Sequence, residues 1–218
     1  MSHPAGAPPL RLRGARVSMR PLDPADFAAW SEVRVRNAAW LEPWEPARLD
    51  GAPDPARDRR AFERRCAVRD REREAGTGYA LAMWVGGALV GEVNLGHVTR
   101  GSLQSGTIGY WVDREHAGRG YVAEGVVVVA RMAFDELGLH RIEVCVIPRN
   151  ARSLRVMDKL GFRAEGLAER YLEINGVWED HLRFGFTAEE WRRRRDELAA
   201  RWLIPAPARP SRPTPAGR

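Results

Sequence analysis

Residues 108–124 read I-G-Y-W-V-D-R-E-H-A-G-R-G-Y-V-A-E, and the fold turns on this stretch. Its aromatic and β-branched opening, up to Val112, has the composition of a strand, and a polar run then ends it. Gly118 and Gly120 bracket Arg119, and a helix-forming run follows from Tyr121. Glycine backbone can bend sharply and come close to a ligand. Amides that open a helix are unpaired and lie at the positive end of its dipole, which suits a phosphate. The stretch therefore predicts a strand, an anion-cradling turn and a helix. The pyrophosphate of a nucleotide-derived cofactor is the expected ligand.

Working outward, residues 78–85 and 88–95 flank Gly86-Gly87, a hairpin signal. A connection over 97–105 leads into the strand 106–112. On the other side, residues 121–137 predict one long helix whose Val126, Val127, Val128 and Val129 are buried, with Gly138 as C-cap. The run H-R-I-E-V-C-V-I (140–147) reads as a buried strand stopped by Pro148. A right-handed strand–helix–strand crossover sets it parallel to 106–112. Asn150 suits an N-cap, with Ser153 in the first turn of the helix behind it. Residues 163–174 and 177–186 pair through Asn175-Gly176, and Thr187 caps a last helix, 188–203.

Toward the N-terminus, residues 11–20 suggest a strand and hairpin. Asp23 and Pro24 then start a helix that runs to about 36. The segment N-A-A-W-L-E-P-W-E-P (37–46) contains two prolines, which argue against a regular element. Its Trp40 and Trp44 either pin a loop to the core or line a pocket. A charged run over 54–74, with Phe62 and Cys66 one turn apart, predicts a largely exposed helix. The expected fold is α/β (α+β). It comprises a mixed sheet of about seven strands with a parallel pair in the middle, flanking helices, one domain over 10–190 and a C-terminal helix over 188–203. The Pro-rich ends, 1–9 and 204–218, are expected to be disordered.

The 218 residues carry a net charge of +6, which raises the question of nucleic acid. Only one of the 35 basic residues is a lysine, Lys159, so the charge reflects a general arginine bias. From Glu189 onward eight arginines face four acids, so +4 of the +6 lies at the C-terminal end. Direct nucleic-acid binding is disfavoured. No stretch approaches the roughly 20 apolar residues of a membrane span, and the first residues lack the apolar core of a signal peptide. A cytoplasmic protein is expected. Cys66 and Cys145 have no metal-ligand spacing and read as reduced packing residues.

The pattern Gly118, Gly120, Ala123 also matches the dinucleotide fingerprint G-x-G-x-x-A. The context disagrees, because D-R-E-H-A separates strand from turn and antiparallel strands precede it. One further residue stands out: Glu92 lies among apolar neighbours in V-G-E-V-N-L. On the ligand side of the sheet it would be a base with a tuned pKa, and on the solvent side an ordinary strand residue.

The order of elements resembles the GNAT superfamily of acyl-CoA-dependent N-acetyltransferases. Within it, G-Y-W-V with A-G-R-G-Y-V-A-E, N-A-R-S, K-L-G-F-R-A-E-G, W-L-E-P-W-E-P and Y-L-E-I-N-G-V-W-E-D-H are similar to the ribosomal-protein-alanine N-acetyltransferase type. The resemblance covers residues 10–191. The superfamily motif Gln/Arg-x-x-Gly-x-Gly/Ala has Ala117 at its first position here and Val122 at its last. Backbone amides carry the phosphate, so the departure removes one side-chain contact and leaves the cofactor expectation intact.

The resemblance implies acetyl-CoA as cosubstrate and no metal. The parallel strands would splay near Tyr110, Trp111 and Val112, admit the pantetheine arm as an added strand, and offer an amide near Val112 to the oxyanion. The turn residues Gly118, Arg119, Gly120, Tyr121, Val122 and Ala123 would hold the pyrophosphate. Asn150 would contact the pantetheine and Ser153 would protonate the leaving thiolate. Glu92 is the candidate base, with Glu45 and Glu173 competing; an α-amino group of pKa about 8 needs only a weak one. Trp40, Trp44, Glu45 and Tyr171 would meet the acceptor. That acceptor is a protein N-terminus with possible ribosome or ribosomal-protein contact, or a small amine such as an antibiotic, polyamine or amino acid. A non-catalytic acyl-CoA-sensing or ribosome-associated module is the third reading. Monomer and homodimer are both open.

Overall fold

Local signals fix most of the elements in the computed structural model, which describes residues 10–49 and 51–204. The expected disordered ends, 1–9 and 204–218, lie outside that range except for Ile204. Strands β1 (Leu12–Arg13) and β2 (Ser18–Arg20) form the opening hairpin. Asp23 and Asp26 make a capping box over the turn Pro24–Asp26, which leads into α1 (Phe27–Arg36). The segment expected to be irregular is helical instead: α2 (Ala38–Leu41) passes into the 3-10 turn Glu42–Trp44. Pro43 stands at the first turn of that piece, where its missing N–H costs nothing.

Asp58 caps α3 (Arg59–Glu74), and β3 (Tyr79–Val85) and β4 (Ala88–Thr99) form the central hairpin. Strand β4 runs further than its sequence suggested, so the connection to β5 (Ser105–Val112) is short. Helix α4 (Tyr121–Arg131) continues as a π-helical turn, Met132–Glu136, in place of one regular helix to 137. Then follow β6 (Arg141–Val146), α5 (Ala151–Leu160), β7 (Arg163–Ile174), β8 (Val177–Thr187) and α6 (Ala188–Trp202).

The described strands form one sheet of eight in the order β1-β2-β3-β4-β5-β6-β8-β7. It is one more than expected because the two-residue β1 pairs with β2. Only β5 and β6 run parallel, and they pair at Ser105↔Arg141, Gly106↔Ile142 and Thr107↔Glu143. Beyond Thr107 and Glu143 the ladder ends, although β5 continues to Val112 and β6 stays paired with β8 as far as Val146. The sheet therefore opens in its middle.

Two apolar clusters close its faces. One joins α4, α5 and α6 to the sheet through Val126, Val128, Met157, Trp191 and Trp202. The other packs α1 and α3 on the opposite face through Trp30, Val33, Phe62, Ala82 and Leu89. Burying these side chains, each contributing about 1.5–3 kcal/mol, covers the central strands, while the edge strand β7 stays largely exposed.

Candidate active site

The polar exit from β5 does structural work first. Asp113 is fully buried, and its carboxylate accepts from Arg36, from Asn37 Nδ2 at 2.8 Å and from His116 Nδ1 at 2.9 Å. Asn37 Oδ1 in turn accepts from the Arg114 amide at 2.9 Å. Burial pushes the Asp113 pKa up, but the bonds from Arg36, Asn37 and His116 prevail and hold it well below the carboxylate range. The run D-R-E-H thus winds into the 3-10 turn Arg114–His116, pinned to the end of α1, before the glycines begin.

Gly118 and Gly120 both adopt left-handed backbone (φ 79° and 86°), and Gly120 is the N-cap of α4. A Cβ on Gly118 would meet open space, whereas one on Gly120 would press on Arg16 and Trp202 at 3.3 Å. The turn is open in front and braced behind. The brace is a buried carboxylate: Glu124 accepts from the amides of Arg16 and Val17 and from Arg16 Nε. Arg16 Nη1 donates to the Arg119 carbonyl at 3.0 Å. Among the described residues, the amides of 118–123 donate to no protein acceptor, and they open α4 at the positive end of its dipole.

Across the opened ladder, Tyr110 Oη lies 2.6 Å from Ser153 Oγ. Asn150 caps α5 and accepts from the Ser153 amide at 3.1 Å, which fixes where the serine stands. Burial pushes the Tyr110 phenol up to about 12, so it holds its proton at neutral pH. The Asp113 amide donates to Val90 O on the β4 side, so strand alternation turns the Val112 amide and carbonyl toward the gap. The carbonyl accepts there from Trp40 Nε1 at 3.0 Å. Trp40 also lies under Arg152 of α5, 4.6 Å from ring centroid to guanidinium, so α2 bridges the gap.

A cleft of about 460 Å³ joins these parts. Of the expected residues it brings together Trp40, Trp44, Glu45, Tyr110, Trp111, Val112, Gly118, Gly120, Tyr121, Val122, Ala123, Asn150 and Ser153. Its walls hold one carboxylate, Glu45, which receives both Nη groups of Arg34 at 2.7 and 2.6 Å. Arg34 lies over the Trp111 ring.

Three expected residues lie elsewhere. Glu92 faces α1 and α3, buried, with Trp30 Nε1 donating to one oxygen at 2.6 Å and Arg65 to the other at 2.6 Å. Burial alone would raise its pKa, but the Arg65 charge and the Trp30 bond prevail and keep it low. Both oxygens are engaged away from the cleft, so Glu92 is a structural carboxylate and not a poised base. Tyr171 is half exposed against His181, outside the cleft, because residues 169–171 stand opposite Asp180 alone and shift the register of β7. The Arg119 side chain is exposed, and its carbonyl serves the Arg16 brace. Conversely, the cleft includes Arg114, His116, Arg152, Arg155, Val156 and Lys159, which sequence reasoning missed. The spacing of Arg152, Arg155, Val156 and Lys159 around Ser153 on one helix was the available signal.

A sheet split between its parallel strands, an anion-cradling turn and a hydroxyl pair at the gap define an acyl-transfer site. Comparison with known proteins agrees. The family described as Acetyltransferase (GNAT) domain matches residues 16–163. Probable N-acetyltransferase YjcK of Bacillus subtilis is 36% identical over 170 residues, 78% of this chain and 93% of that protein. The [Ribosomal protein uS5]-alanine N-acetyltransferase of Escherichia coli is 26% identical over 189 residues, 86% of this chain and 95% of that one. The structure of Mycobacterium smegmatis RimJ in complex with CoA-disulfide superposes with a TM-score of 0.78 at 35% identity, covering 90% of this chain and 96% of that one. The chain belongs to the GNAT acetyltransferase family and is an N-acetyltransferase.

Proposed function

We propose that residues 10–190, with the helix over 188–203, transfer an acetyl group from acetyl-CoA to the α-amino group of a protein N-terminus. The observation that carries this reading is the charge asymmetry of the cleft. Arg155, Lys159 and the turn amides line the part an anionic cofactor needs, whereas Arg114 and Arg152 lie on the Trp40 ring and Glu45, held by Arg34, is the single carboxylate of the cleft. An ammonium group arriving there meets the one carboxylate of the cleft, already paired with Arg34. The likeness to the uS5-alanine enzyme supports a peptide acceptor.

The residues present fit the cofactor: the Gly118 side of the turn is open, and the 118–123 amides are free among the described residues. Acetyl-CoA supplies an activated acyl thioester, and the chain supplies position and proton transfer. The Val112 amide faces the gap, where charge develops on the thioester oxygen. Both oxygens of Glu45 are engaged by Arg34, so a water beside that pair removes the amine proton; a group of pKa about 8 asks little of a base. Ser153, hydrogen-bonded to Tyr110, stands ready to return a proton to the departing thiolate, ordinarily of pKa about 8.5. Asn175 Nδ2 donates to Glu42 O at 2.7 Å, so the β7–β8 tip and the tryptophan segment together frame the acceptor entrance. We place the enzyme in the cytoplasm, with the arginine-rich chain after Glu189 available for ribosome contact.

The test is turnover of acetyl-CoA with a panel of N-terminal peptides, polyamines, amino acids and aminoglycosides, followed by free-thiol release. Peptides beginning with alanine are expected to be used. Turnover confined to small amines would reject the peptide reading, and tight acetyl-CoA binding without turnover would favour a binding module.

A further inference from the structure

A turn between two glycines has a weakness as an anion site. Gly120 stands at φ 86° and ψ 2°, the values of the third residue of a type II turn. The type I counterpart, with φ about −90° and ψ about 0°, is as open to a glycine. The two forms differ by reversal of the peptide before that residue, here Arg119–Gly120. One orientation offers the cleft an N–H group. The other offers a carbonyl oxygen, which repels an anion.

Arg16 decides between them. Its Nη1 donates to the Arg119 carbonyl at 3.0 Å from outside the cleft, which Gly118, Gly120 and Tyr121 line and Arg16 does not. In a trans peptide the carbonyl and the next N–H point in opposite directions. With the carbonyl drawn back to Arg16, the Gly120 N–H faces away from it. The guanidinium is itself held: Nε donates to the fully buried Glu124 at 2.8 Å, and the group lies 4.9 Å from the Tyr121 ring centroid. Glu124 also accepts from the backbone amides of Arg16 and Val17, bonds that do not depend on the side chain at position 16. Gly14 leaves room for this approach, since a Cβ there would lie 2.6 Å from Glu124 Oε1. Trp202 closes the rear, 3.3 Å from where a Cβ of Gly120 would stand, and its carbonyl accepts from the Ala15 amide at 3.2 Å.

Building on the acetyl-CoA reading above, we propose that Arg16 is a positioning residue for cofactor binding. It locks the Arg119–Gly120 peptide with its N–H toward the pyrophosphate, and it touches neither cofactor nor acceptor itself. Apparent affinity scales with the fraction of the chain that is competent to bind. Without the lock both peptide orientations are populated, and a competent fraction of about one tenth weakens CoA about tenfold. The reacting end of the cleft, at Tyr110 and Ser153, is left as it was.

The experiment compares the full chain with Arg16→Gln and Arg16→Lys. It combines calorimetric titration with CoA, thermal melts, and kinetics with acetyl-CoA and with S-acetylpantetheine, which lacks the pyrophosphate. In Arg16→Gln the CoA Kd and the acetyl-CoA KM should rise about tenfold, with kcat within about twofold. Its kcat/KM for S-acetylpantetheine should not change, because that thioester never meets the turn. Arg16→Lys keeps a cation beside Glu124, and so the melting temperature. It offers one nitrogen in place of the guanidinium fork, and should lose as much CoA affinity. Wild-type affinity in Arg16→Lys, or equal losses with the two thioesters, would overturn the lock and leave the cofactor reading standing. A wild-type chain that binds no CoA would overturn the cofactor reading, and the lock with it.

Discussion

Tyr110 and Ser153 come from β5 and α5, and their hydroxyls meet at 2.6 Å where the sheet has opened. The phenol, pushed up to about 12 by burial, remains a proton donor throughout the working range and orients the serine Oγ. Ser153→Ala is therefore expected to lower kcat by about 10²-fold while CoA affinity stays within about twofold. Tyr110→Phe should reproduce part of that loss in kcat. Unchanged kcat in Ser153→Ala would remove the serine from the chemistry. Glu92 makes the contrast. Its carboxylate is held between Trp30 and Arg65, so Glu92→Gln should leave kcat near wild type. It should also cost about 3 kcal/mol of stability by stranding a buried guanidinium contact, read as a Tm fall on the order of 10 °C. A loss of kcat without a loss of stability would restore the residue as a base.

At the scale of elements, α2 and the turn after it form a bridge rather than a loop. Trp40 ties α2 to the end of β5 through Val112 O, and Arg152 stacks on it from α5. Arg149 donates to Pro43 O and Glu179 and lies over Trp44, while Asn175 reaches Glu42 O. Trp40→Ala removes the link on both sides of the gap. The expected result is a severalfold higher acceptor KM and faster proteolytic cleavage within residues 38–49, with α4 and the glycine turn unaffected. Normal protease resistance in that variant would mean that the Arg149 and Asn175 contacts suffice to hold the bridge.

For the molecule as a whole, stability should depend on acid. Asp26, Glu92, Asp113, Glu143 and Glu165 are all held below their ordinary pKa by arginine partners and hydrogen bonds. A carboxylate with a lower pKa folded than unfolded stabilises the fold fully above its unfolded value, about 4, and that contribution is lost as pH falls through the folded value. Thermal melts from pH 7 to pH 3 should show a level Tm near neutrality and a steep fall below about pH 4. Asp113→Asn should lower the neutral Tm and flatten the acid limb, since Asp113 is fully buried. An unchanged acid limb would assign the fall to the exposed pairs.

What the amino-acid sequence determined by itself was local. Gly86-Gly87 and Asn175-Gly176 specify their hairpins, Asp23, Asn150 and Thr187 their helix starts, and Gly118 and Gly120 a left-handed turn before α4. Each rests on bonds among a few neighbouring residues, so each is legible in a short window. The motif order then identified the family. Tertiary structure decided what those windows cannot contain. Alternation along β4 gave Glu92 one of two faces, and only the packing of α1 and α3 made it the buried face with Arg65. The irregular register of β7 turned Tyr171 away from the cleft, and the termination of the β5–β6 ladder at Thr107 brought Tyr110 to Ser153. These pairings join residues tens of positions apart, and their partners are set by how layers close over the sheet.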